Sequence, residues 1–158
     1  MKEIQERLDT LIAAYQRQRE IYLSILGSAP LERQHIERGD MTRLLPLLQS
    51  KHEQMEAASQ EERAIQEVQT ELAAIFQLDE FSLSRIRDAA PQWYKPHLDT
   101  LAQEISGIVE CLETLENQER EFEGKLKVLT EAKQRQRREG DNASKKRASR
   151  AYRPKPKT

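Results

Sequence analysis

Between Leu98 and Leu129 apolar residues return at alternating steps of three and four: Leu98, Leu101, Ile105, Ile108, Leu112, Leu115, Glu119, Phe122, Leu126 and Leu129. Only Glu119 in that series is polar. A mean step of 3.5 sets these side chains in one seam along an α-helix, where a second helix can interdigitate with them. At ~1.5 Å per residue the seam runs roughly 45–50 Å, far more than a small globular core spans. Such a chain has to bring other helices to the seam, its own or a partner's.

Two weaker seams precede it. Ile4, Leu8, Leu11, Tyr15, Gln18, Tyr22 and Ile25 carry the same spacing, until Gly27-Ser28-Ala29-Pro30 interrupts them. Pro30 has no N–H and clashes with the preceding turn, so a break or kink is expected there. A short helix over 31–38 follows, with Gly39 as its left-handed stop and Asp40 suited to N-cap the next helix. That helix carries Leu44, Leu48, Lys51, Met55, Ala58, Glu62, Ile65, Gln69, Leu72 and Phe76, a seam polar at three positions. Pro46 implies either a bent first turn or a helix proper that starts at Pro46. A connector over 78–81 leads to Ser82, the expected cap of a short helix containing Arg85 and Ile86. Trp93-Tyr94-Lys95-Pro96 then makes a second turn before the long seam.

Hydrophobic residues make up only 37% of the chain and charged residues 34%, too little apolar material for a thick spherical core but enough for helices sharing stripes. The charge is split. Residues 134–158 hold ten Lys/Arg against Glu139 and Asp141, a net +8, which leaves 16 bases and 25 acids, or −9, on the other 133 residues. Beyond Gly140 only Ala143, Ala148, Ala151 and Tyr152 are apolar, so this stretch cannot bury enough surface to fold alone. The expected fold is therefore all-α. It is an elongated antiparallel bundle of about three long helices with coiled-coil character over residues 1–138, then a disordered basic C-terminal tail over 139–158.

Catalytic patterns are thin. Glu32 and His35 form one Glu-x-x-His, an element that di-iron helical bundles use twice. His52 follows Gln49 and His97 follows Tyr94 at the same spacing, so no second copy exists and a solvated histidine is expected. No Cys pair, Gly-rich phosphate loop or Gly-x-Ser-x-Gly elbow is present. No enzyme, metal or other cofactor is expected. Cys111, beside the seam, reads as a small apolar flank residue and offers no intrachain disulfide. Trp93 and Tyr94 are expected to anchor the turn against the bundle end, the alternative being an exposed partner hot spot. The basic tail has Tyr152 as its sole aromatic, so it lacks a stacking platform and no specific nucleic acid is expected. The longest apolar run near the start, residues 11–15, is too short for an export signal or a membrane span. A cytoplasmic location without membrane insertion follows as the expectation.

Tyr22-Leu23-Ser24-Ile25, then Ile36-Glu37-Arg38-Gly39-Asp40-Met41-Thr42-Arg43-Leu44 and Leu47 to Glu53, resemble the FlgN family of bacterial flagellar export chaperones. So do Leu83-Ser84-Arg85-Ile86 and the stretch Leu115 to Phe122 containing Asn117. The resemblance covers about residues 1–130, and the basic tail is no part of it. It implies a cytoplasmic chaperone in flagellum biogenesis and type III secretion. Its protein clients would be hook-associated proteins, whose C-terminal helices it keeps soluble for export, with export-gate or ATPase components as further partners. An apolar groove on the last helix suits such a client. Leu115, Phe122, Leu126 and Leu129 are the expected contacts, with Glu119 setting register. The competing class is a structural coiled coil or stator-like component of the export ATPase assembly, which needs no groove.

Overall fold

The computed structural model describes residues 2–152. The chain is 92% helical, and no strand occurs among the described residues. Among the described residues five α-helices follow in order: α1 (Lys2–Gly27), α2 (Ala29–Arg38), α3 (Met41–Ile75), α4 (Leu83–Ala89) and α5 (Lys95–Tyr152), with a 3₁₀ turn at Gln92–Tyr94. They form two compact units, Met1–Glu119 and Arg120–Thr158.

The first unit is built on α1. Its seam buries Leu8, Leu11, Tyr15, Gln18, Tyr22 and Ile25, as the spacing predicts. The helix stops at Gly27, and α2 starts one residue later with Pro30 in its first turn, where a missing N–H costs no helical hydrogen bond. Gly39 ends α2 with φ of 65°, the left-handed conformation that returns its N–H to the last carbonyls of the helix. Asp40 caps α3 by accepting a hydrogen bond from the Arg43 N–H at 3.2 Å. The helix starts at Met41, so Pro46 lies inside it and does not mark its beginning.

Helix α3 runs antiparallel to α1. Arg7 meets Glu71 at 2.9 Å, Arg17 meets Glu61 at 3.0 Å, and Ser24 accepts from Gln54 at 2.8 Å, each step up α1 matched by an equal step down α3. The start of α5 runs parallel to α1. Asp9 faces His97 at 3.3 Å, Gln16 faces Glu104 at 3.4 Å, and Arg19 lies against Gly107, every pair separated by the same 88 residues. Gly107 permits that approach, because a Cβ there would come within 3.1 Å of the Arg19 side chain.

Between these helices lies one core. Leu8, Leu11 and Ile25 of α1 join Ala58, Ile65 and Leu72 of α3 and Leu98, Leu101, Ile108, Cys111 and Leu115 of α5. Ile86 of α4 and Tyr94 of the 3₁₀ turn belong to the same cluster. Each fully buried Leu or Ile contributes about 1.5–3 kcal/mol. The exposed ion pairs alongside are worth about 0–1 kcal/mol each, so apolar burial dominates.

Three expectations need correcting. Cys111, placed beside the seam, is buried in the core, while Leu112, placed within it, is 43% exposed. Trp93 does not anchor the turn: it is 59% exposed, and only its neighbour Tyr94 is buried. His35 is not solvated but 7% exposed.

The second unit holds the remainder of α5. Phe122 is buried at 2% exposure, Leu126 and Leu129 are half-buried, and every described side chain from 130 to 147 is exposed. The helical backbone continues to Tyr152, through most of the segment expected as a tail, because its Gln, Arg, Lys, Glu and Ala residues favour helix. Residues 153–158 of that expected tail lie outside the described residues.

Candidate functional site

The polar residues that interrupt the seams find one another. In α1, Gln18 is 1% exposed, and its Nε2 donates to the Ala58 carbonyl at 3.2 Å and to Glu62 at 3.0 Å. Gln69 donates to the Tyr15 hydroxyl at 2.7 Å. Burial, then the Glu62 charge, pushes the Tyr15 phenol up to about 12, against the opposing pull of Gln69. Tyr15 thus stays protonated at all ordinary pH values. Polar pairs placed at one height in a seam favour one helix register, because a slip would leave the buried Gln18 amide without its partners.

A stronger junction closes the far end of the first unit. The Lys51 ammonium of α3 reaches both Glu32 oxygens at 3.4 Å and also pairs with Glu119 of α5. The Glu32 side chain is 5% exposed, that of Lys51 14%, and that of Glu119 49%. Two carboxylates therefore share one cation, and Glu32 is the more buried of them. Burial raises the Glu32 pKa above the ordinary carboxylate value, with Lys51 opposing and Glu119 adding to the rise. His35 follows one turn later in α2, with a buried Nδ1 that has no hydrogen-bond partner.

Of the residues expected to hold a partner, Leu115 and Glu119 lie in the first unit, and Phe122, Leu126 and Leu129 in the second. Leu115 is 6% exposed and is a member of the core cluster. Glu119 is engaged by Lys51. Along α5 in the second unit, Phe122, Leu126 and Leu129 keep the three-four spacing, and Val128 beside them is 67% exposed. The Glu32–Lys51–Glu119 junction did not emerge from the apolar pattern. Its signal was present: Lys51 and Glu119 are interruptions of opposite charge in two different seams.

No group of three metal-ligating side chains occurs among the described residues. The chain's features are helix seams, polar pairs between helices and an apolar stripe. The FlgN protein family matches residues 1–126, so the chain belongs to the FlgN family, non-enzymatic flagellar export chaperones of hook-associated proteins. No curated protein and no solved structure matches the chain. No helix among the described residues is long and apolar enough to cross a membrane.

Proposed function

We propose that this protein acts in the cytoplasm, binding the C-terminal amphipathic helices of hook-associated proteins and keeping them soluble for type III export. One observation carries the reading. The apolar spacing of α5 continues past the first unit through Phe122, Leu126 and Leu129, and the last two retain exposed apolar surface. An amphipathic client helix offers the matching stripe, and joining the two removes both from water. Direct contact is assigned to Leu126 and Leu129, with Phe122 at the head of the stripe. Leu115 holds α5 in its own core, and Glu119, fixed by Lys51, sets where the client begins. Export-gate or ATPase components are the further partners to which the loaded chaperone delivers.

The test is a double substitution, Leu126→Asp with Leu129→Asp. Neither residue is fully buried, so helicity and Tm should stay close to those of the parent protein. The parent should form a soluble complex with the C-terminal segment of a hook-associated protein on size exclusion, and the variant should not. Burying two carboxylates against an apolar client face costs several kcal/mol, roughly a thousandfold in affinity. Equal binding by a folded variant would place the client elsewhere on the protein. Absence of any complex with the parent would favour the structural coiled-coil reading.

A further inference from the structure

The family match ends at residue 126, and the most highly charged part of the chain lies beyond it. Residues 134–158 carry ten Lys/Arg and two acids, while the rest of the chain carries −9. Through Tyr152 this segment is helical, and Arg135, Arg137, Arg138, Lys145, Lys146 and Arg147 are all exposed. At ~100° per residue these six fall all round the helix, leaving no apolar face that could insert into a bilayer or dock in a groove. Whatever holds this arm must do so by charge.

We infer that the basic arm binds the surface of anionic phospholipid membranes, holding the chaperone at the bilayer without inserting into it. Clusters of four to eight basic residues are the usual determinant of such adsorption, and this arm exceeds that number. Single-stranded nucleic acid is the other polyanion to consider. Its binders interleave aromatic stacking residues with their charges, and Tyr152 is the arm's sole aromatic. The choice of lipid also rests on the export reading above, since an exported client has to be brought to a membrane. The acidic remainder of the chain is repelled by the same surface.

Flotation of the full-length, client-free protein with vesicles provides the test. Vesicles of phosphatidylcholine with about 30% phosphatidylglycerol should carry the protein at low salt, and pure phosphatidylcholine vesicles should not. Binding should fall steeply as salt approaches about 0.5 M. Replacing the six exposed basic residues with Gln should weaken vesicle binding by more than about tenfold. The same variant should keep its helicity and its complex with a hook-associated segment. Failure of that client complex in parent and variant alike would count against the chaperone reading, not against the vesicle result. The inference is overturned if the parent ignores the anionic vesicles, or if the Gln variant binds them equally well. It is also overturned if single-stranded RNA or duplex DNA binds more tightly than the vesicles at equal salt.

Discussion

Lys51 serves two carboxylates at once, and of the two Glu32 is the one that burial holds above its ordinary pKa. Because burial raises its pKa, between the ordinary value and the raised one the folded state holds a proton that the unfolded chain has already released. Stability therefore falls as pH rises from the ordinary value of 4.5 through the elevated one, and stays lower above it. Glu32→Gln removes this ionisation and leaves Lys51 paired with Glu119. The variant should melt above the parent at pH 7, with the difference vanishing as pH falls to about 4. Thermal melts at both pH values check this, and equal Tm values at pH 7 would show that the Lys51 charge compensates fully. The individual residues of this junction are visible in the sequence, but their meeting is not. Apolar periodicity registers a charge as a gap in a stripe, and only the fold reveals that two gaps face each other.

At the scale of the helices, the punctuation was legible and the rotation of α5 was not. Gly39, Asp40 and Ser82 sit where their backbone and capping chemistry places them. From Leu8 to Ile25 the seam of α1 is buried as its spacing predicts, while Ile4 at its start is half-buried. In α5 the core takes Cys111 and leaves Leu112 exposed. A 3.5-residue reading drifts against a helix of 3.6 residues per turn, and over two heptads the drift turns the buried face toward the Cys111 side of the stripe. The proposed client stripe could be nominated from spacing alone, but the role of Leu115 in the core depends on how the three helices meet. The end of α3 shows a feature that spacing does not signal. Gln77 has φ of 55°, and the Leu78 N–H returns to the Ala73 carbonyl at 2.8 Å, closing a left-handed helix stop without glycine. A left-handed L-residue costs roughly 1–2 kcal/mol, partly offset in Gly by greater freedom of the unfolded chain. Gln77→Gly should therefore raise Tm by about 2–4 °C in a calorimetric scan.

For the molecule as a whole, α5 passes from core to full exposure along a single uninterrupted helix. Side-chain burial protects its first half, whereas residues 134–147 depend on helix propensity alone, which sustains an unsupported helix only marginally in water. Hydrogen exchange should be slow over 98–115 and fast beyond about 130. Brief trypsin treatment should cut beyond Arg138 first and leave the first unit intact, and early cuts within 98–115 would contradict this gradient. The constant 88-residue offset between α1 and α5, with α3 mirrored against both, carries a further consequence. It makes the first unit a ruler graduated in heptads. Deleting one residue from α1 alone would turn everything beyond it by ~100°, swinging Gln18 away from Glu62 and Arg19 off Gly107. Only the loss or gain of seven residues at one height in all three helices would return every face to its neighbour. Proteins of this build can therefore change length, but only in whole graduations made in triplicate.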